Sequence, residues 1–412
     1  MKIFIKKSEV MNANNVLNNF KYHKIVVLLY LTITGIPIIS GSVINYGLFG
    51  LISISIFVLL ITNKGLKIRN NNYLKWIIPV VIILFLSVLW VDDVGQSLGR
   101  LTRISLIVLF CIYITFLVKD KADFNTALKL FLLSRLIMVV YLLTVLDFST
   151  LGEVRIGADN LGEEWNANSI GMNLALAAFS AFFILKMEKN KLKVKKLIYM
   201  LSIALFIIII VFTGSRKALF IFVFSVGLFS LLNKDKNKFT KLGFLGLVLI
   251  LVGYISLNNP FLYNVLGSRI EGLFASFTGE GKVDASTSTR MNMINAGITF
   301  FEERPLFGHG IDSFRQLYFN YVGDYRYSHN NYVELLVSVG IFGTVIYYLG
   351  LLSILKKTFK KTNPYLIFSF VVIVTILIID YGLVSYTSYL IQYFICLAFV
   401  SIGLNNRKEN NY

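Results

Sequence analysis

Three short segments hold cationic or titratable side chains where an otherwise apolar chain has little reason to keep them. The first is Thr213-Gly214-Ser215-Arg216-Lys217, which joins two apolar runs with almost no loop. Two adjacent cations beside a flexible glycine and hydroxyl donors suit an anionic lipid headgroup or a pyrophosphate. The plain alternative is a tight turn with snorkelling bases. The second is Arg290, with Arg304 and Arg315 further along the same polar segment. A helix-like run extends from Arg290 to Glu303, and Ser286, Ser288 or Thr289 is suited to cap it. A cation near a helix N terminus is electrostatically unfavourable. Either an anionic ligand or a salt bridge to Asp284, Glu302 or Glu303 would hold Arg290 there. The third is His329, in Ser328-His329-Asn330-Asn331-Tyr332-Val333-Glu334, directly ahead of another apolar run. An imidazole there can take a proton from a hydroxyl near neutral pH. A helix-capping role beside Asn330 is the alternative. His23 reads as a solvated residue of the N-terminal tail, and His309 as an exposed one between two glycines.

Other chemistries lack their residues. There is no HExxH, CxxC, GxSxG, Walker loop or Asp-x-Asp cluster, and no Ser-His-Asp order stands out. Nothing in the sequence points to a metal or a cofactor, and none is expected. The two cysteines, Cys111 and Cys396, lie inside apolar runs and read as core or lipid-facing residues.

The elements that position these groups follow from composition. Of 412 residues, 56% are hydrophobic and 15% charged, where a soluble domain has about 25% charged. That excludes an ordinary cytosolic enzyme, and 35 Phe with 22 Tyr exclude a solvated disordered chain. Apolar runs bounded by charge occur near 25–41, 43–62, 74–91, 103–118, 126–146, 168–186, 196–213, 216–233, 240–257, 331–354, 364–380 and 384–404. The fold class expected is an all-α polytopic membrane protein with about twelve spans. Residues 1–257 would hold nine of them, 258–330 a large extracytoplasmic loop, and 331–412 the last three and a tail. The first run is read as a retained helix rather than a signal peptide.

The net charge of +18 then reads as topology, not as nucleic-acid binding. With both termini cytoplasmic, the inside segments carry 26 Lys and two Arg, and the outside segments nine Arg and two Lys. Lys is a hydrated point charge suited to a topology signal, whereas Arg is a planar fork suited to phosphate or carboxylate. The Arg bias therefore marks the outer face as the working one, although pairing with outside acids would explain individual cases. One outside link, near 147–167, is acidic. The other, 258–330, is the longest polar segment, with a second amphipathic run from Ile311 to Val322.

In order and spacing, three segments resemble the O-antigen ligase and polymerase superfamily. They are Gly214-Ser215-Arg216; Arg290 with Arg304-Pro305-Leu306-Phe307-Gly308-His309-Gly310 and Phe314; and His329 to Leu336 with Gly340-Ile341-Phe342-Gly343. The resemblance covers roughly residues 200–355. It implies a GT-C-like membrane glycosyltransferase, metal-independent and inverting. In that reading Arg216 and Arg290 hold the pyrophosphate of an undecaprenyl-pyrophosphate-linked oligosaccharide, and His329 is the general base that activates the acceptor hydroxyl. Lys217, Arg304, Arg315, Asn330 and Tyr332 are further candidates for pyrophosphate or glycan contact. Polymerase is the first expectation and ligase the second, since the two differ only in acceptor. The implied setting is the bacterial inner membrane, with membrane lipids and a chain-length regulator as partners. A flippase is the competitor from another class. It would carry charges within its spans, where only Arg135, Glu334 and Asp380 stand out.

Overall fold

The computed structural model describes residues 21–37, 42–62, 71–161, 165–188, 192–233, 238–278 and 285–409. The bases of the N-terminal tail before Lys21, Glu163, Glu164, Lys282 and Asp284 lie outside the described residues, as does the start of the polar stretch from Glu280. The described chain is helical, with one isolated bridge between Leu151 and Val154.

The long helices of the first half are α1 (Lys21–Ile33), α2 (Ser42–Thr62), α3 (Asn72–Leu86), α4 (Val94–Leu117), α5 (Lys121–Val145), α6 (Ala167–Met187), α7 (Lys193–Phe212), α8 (Arg216–Leu232) and α9 (Lys238–Asn258). The polar insertion contributes α10 (Ser268–Thr278), α11 (Ala285–Glu303) and α12 (Phe314–Val322). The chain closes with α13 (Asn331–Thr358), α14 (Pro364–Ile379) and α15 (Tyr389–Glu409). Each apolar run of the sequence falls on a helix. Among the described residues, seven helices, α2 to α7 and α13, are long and apolar enough to cross a membrane, and α14 and the start of α15 are apolar but shorter. The protein is a multi-pass membrane protein.

Short polar residues start many of these helices. Asn71, Asp93, Asp120, Asn166, Ser215, Asn330 and Asn363 each accept a hydrogen bond from a backbone N–H of the first turn, satisfying donors the helix itself leaves open. α6 is the central helix and packs on α5, α7 and α8. Its small Ala175, Ala177, Ala178 and Ala181 are fully buried and let neighbours approach closely. Phe179 of α6 stacks on Phe368 of α14 at 5.2 Å. The outlying α2 and α7 instead turn side chains such as Phe57 and Ile208 outward, as a lipid-facing surface requires.

α13 is broken at Gly340, whose φ of 63° and ψ of −167° are not helical. The segment 305–310 splints the break. Val337 O and Ser338 O accept from the N–H groups of His309 (2.7 Å) and Gly310 (2.9 Å), and Ile341 N–H and Phe342 N–H donate to Pro305 O (2.9 Å) and Leu306 O (3.4 Å). The exchange needs near contact of two backbones. A Cβ on Gly340 would lie 2.3 Å from Leu306 O, and one on Gly308 2.6 Å from Val337 O. The glycine-rich segments that looked like motifs are therefore a structural joint.

Three sequence expectations change. His23 is buried, with Nδ1 2.6 Å from Tyr113 Oη, because α1 begins by Lys21 and carries it into the bundle. His309 is buried too, with Nε2 2.7 Å from Phe300 O, drawn in by the splint. The helix expected to begin at Arg290 extends from Ala285, so Ser286, Ser288 and Thr289 lie within it and Arg290 is its sixth residue. The unfavourable dipole at a helix start thus bears little on Arg290. It bears instead on Arg216 and Lys217, the first two residues of α8.

Candidate active site

The insertion is held onto the bundle from two sides. Met293, Ala296 and Phe300 of α11 and Phe314 and Tyr318 of α12 form a small core with Val333 and Val337 of α13. From α4, Gln96 donates to Asp312 O (2.9 Å), Ser97 to Ile311 O (2.8 Å) and Arg100 to Asp312 Oδ1 (2.9 Å). The chain from Gly323 to Asn330 then crosses to the start of α13.

His329 ends that crossing. Its φ of 54° is in the left-handed region that favours glycine, and a non-glycine residue there is held by its surroundings. The holders are visible. Ser328 N–H donates to the buried Glu334 carboxylate (3.0 Å), and Ser328 Oγ donates to Asn330 O (2.8 Å). Asn330 caps α13 by accepting from Tyr332 N–H (2.9 Å) and Val333 N–H (3.1 Å). Asn331, fully buried, donates to Asp380 Oδ2 and Tyr348 Oη and accepts from Ser385 N–H and Tyr386 N–H. The Tyr327 ring lies against the imidazole, centroids 4.0 Å apart.

Burial first, then the cations Arg290, Lys217, Arg326 and Arg315, push the His329 pKa down to about 4. The imidazole is therefore neutral at physiological pH and surrounded by positive charge. Lys217 reaches across to donate to Gly382 O, while Arg216 Nη1 donates to Arg269 O at 2.6 Å. Gly214, at φ 57°, makes this turn possible, since a Cβ would sit 2.2 Å from Val265 O. Ser215 caps α8 and donates to Asn168 Oδ1 at 2.9 Å. A helix start bearing Arg216 and Lys217, within electrostatic reach of Arg290 and of a neutral imidazole, has the charge an anion requires beside a group able to accept a proton.

With that geometry in place, the comparison with known families is informative. Residues 201–348 match the family model described as O-antigen ligase. The match covers about a third of the chain, and over that segment the protein is similar to the O-antigen ligase family. The match contains the turn before α8, the whole insertion and the first part of α13. Among curated proteins, none matches the chain. Superfamily members are membrane glycosyltransferase-like enzymes that act on lipid-linked oligosaccharides.

Of the eight residues singled out in the sequence, Arg290, Lys217 and Arg315 converge electrostatically on His329, and Arg216 acts on Lys217. Asn330 is the cap just described, and Tyr332 donates to Leu377 O (2.7 Å) and stacks on Tyr348. Arg304 lies elsewhere, exposed on the rim of an apolar groove of about 840 Å³ between α3 and α13. Sequence reasoning missed Arg100, Arg103 and Arg326 as individuals. Two Arg at i and i+3 near the outer end of a span, on the face already rich in Arg, were the available signal for the first pair.

Asn330 allows a clean separation of roles. Asn330→Ala is expected to cost about 1 kcal/mol through loss of the cap, read as a fall in thermal midpoint in detergent. Asn330→Ser keeps the cap and should restore that midpoint. If glycan transfer stays low in the Ser variant, Asn330 also touches substrate.

Proposed function

We propose that the protein is a polysaccharide polymerase, of O-antigen or capsule type. It transfers a growing glycan from an undecaprenyl-pyrophosphate carrier to a lipid-linked repeat unit, with inversion and without a metal. The supporting observation is the convergence of Arg290, Lys217, Arg326 and Arg315 on a neutral His329, beside the α8 start that carries Arg216.

In this reading His329 takes the proton of the acceptor hydroxyl as its oxygen attacks the anomeric carbon. The bond from that carbon to the pyrophosphate oxygen breaks, and its electron pair leaves with the pyrophosphate. Negative charge grows on the phosphates, where Arg216, Arg290 and Lys217 stand ready without reorganisation. The isoprenoid tail lies along the apolar groove whose rim holds Arg304. Twelve helices cross the inner membrane in a GT-C-like arrangement. Both termini are then cytoplasmic and His329 faces the periplasm or cell exterior. A chain-length regulator is the protein partner this reading anticipates.

The test uses purified protein with lipid-pyrophosphate-linked repeat units and EDTA, products separated on a gel. A ladder at repeat-unit spacing is expected. Arg216→Ala and Arg290→Ala should each lower its rate by about 10²- to 10³-fold, the usual cost of deleting a donor that stabilises a developing oxyanion. No ladder, but glycan joined to an added lipid or protein acceptor, would make the enzyme a ligase. No product with either acceptor would move the assignment to transport.

A further inference from the structure

A second cluster of guanidinium groups lies beside Tyr327 and shares Arg315 with the groups just described. It faces a cavity of about 260 Å³, formed where α1 ends and α6 and α15 begin, and lined also by the chain from Leu383 to Ser388. Tyr327 lines it and also lies against His329, so it shares a wall with the candidate base. Four guanidinium groups face it, Arg100, Arg103, Arg135 and Arg315, against two carboxylates, Asp312 and Glu334.

The carboxylates are already engaged. Asp312 takes Arg100 at 2.9 Å and lies 3.8 Å from Arg315, and Glu334 accepts from Ser328 N–H. Among the described residues, no carboxylate pairs with Arg103 or Arg135. Arg135 is 3% exposed and is held by neutral oxygens alone, Leu31 O, Asn173 Oδ1 and Ser134 Oγ. Arg103 is exposed towards the cavity, 4.8 Å above the Tyr389 ring. A buried guanidinium without a counter-charge is costly to fold, and within a membrane domain such a charge marks function.

We propose that this cavity is a second oxyanion site, which takes the phosphate group of the lipid-linked acceptor while the donor pyrophosphate occupies the Arg216–Arg290 side. The acceptor assignment rests on the polymerase reading; the anion site itself does not. Guanidinium forks match phosphate oxygens two at a time, and the shared Tyr327 wall sets the lipid end of the acceptor near the candidate base, with the attacking hydroxyl reaching back from the far end of the repeat unit. Two substrates that both carry pyrophosphate then need two cationic sites, here joined through Arg315 and Tyr327.

The experiment starts in an Arg216→Ala/Arg290→Ala background, which disables the donor side. Inorganic pyrophosphate is titrated against the thermal midpoint of the full-length protein in detergent. A saturable rise is expected there, and Arg103→Gln, at the cavity mouth and so tolerated by the fold, should abolish it. No rise in that background, or a rise indifferent to Arg103→Gln, overturns the site. Arg135→Met gives an independent reading. An uncompensated charge predicts that this variant melts higher than its parent without ligand and loses the pyrophosphate response; a lower midpoint would mean that Arg135 serves packing and would overturn its part.

The same titration with a short-chain prenyl pyrophosphate separates the sources. Equal response to it supports a lipid headgroup, whereas response to free pyrophosphate alone overturns the acceptor assignment. In the wild-type background, Arg103→Gln should raise KM for the acceptor at least tenfold and leave KM for the donor unchanged. If wild-type protein transfers no glycan, the polymerase reading fails while the binding result stands.

Discussion

Replacing His329 with Ala is expected to slow glycan transfer by about 10²- to 10⁴-fold, the range general-base catalysis supplies, with little loss of stability. The side chain makes no hydrogen bond that holds the described fold together; the backbone around it is fixed by Ser328, Asn330, Asn331 and Glu334. The pH profile adds a sharper test. In the free protein burial, and then the surrounding cations, keep His329 unprotonated down to about pH 4, so the acid limb of kcat/KM, which reports free enzyme, should sit well below 6.5. A bound pyrophosphate neutralises those cations and raises the imidazole pKa towards its ordinary value. The acid limb of kcat should therefore lie at higher pH than that of kcat/KM. Coincident limbs, both near 6.5, would contradict an anion site beside this histidine. The same depression carries a stability consequence. The unfolded imidazole protonates near 6.5 and the folded one only near 4, so its contribution is intact above about pH 6.5 and declines as pH falls through that window.

Gly340→Val is expected to be the most damaging single substitution to the fold. It places a β-branched side chain at φ 63° and ψ −167°, a region open essentially to glycine, at about 1–3 kcal/mol for the backbone alone. Its Cβ also meets the Leu306 carbonyl at 2.3 Å, and backbone cannot step aside as a flexible side chain would. A further loss of comparable size follows from parting the splint hydrogen bonds. Yield of folded protein in detergent and the thermal midpoint both read this out. Gly253→Ala is the control, since a Cβ there meets nothing within 4 Å and its effect should be a few tenths of a kcal/mol.

Much of the architecture was legible because a bilayer reduces folding to apolar runs and charged ends. Helix starts were less legible: Asn71, Asp93, Asn166, Ser215 and Asn363 cap their helices, whereas the cap expected at Ser286, Ser288 or Thr289 lies inside α11. A joint role for Arg216, Arg290, Lys217 and His329 was implied by the family resemblance, and in the structure Arg290 and Lys217 act electrostatically on His329. What could not be read was long-range pairing. Nothing in the local sequence of Arg100 says that it meets Asp312, 212 positions away, or that Arg135 ends within reach of Leu31 and Asn173. Gly308 and Gly340 looked like a signature because both are needed, but periodicity does not reveal that they face each other. His23 and His309 misled for a related reason: burial depends on where the helix begins and on what folds over it.

The splint across Gly340 has a consequence for exchange of parts between proteins. Residues 305–310 complete the hydrogen bonding of a membrane helix while belonging, by position in the chain, to the polar insertion. A graft meant to change the sugar accepted would respect the helix only if its joins leave those six residues with their original α13. The exchangeable parts of the insertion thus end at Arg304 and resume at Ile311, on either side of the splint. Transplanting the whole of 258–330 would instead carry half of a foreign joint into the membrane domain, replacing both the splint at Gly340 and His329 itself.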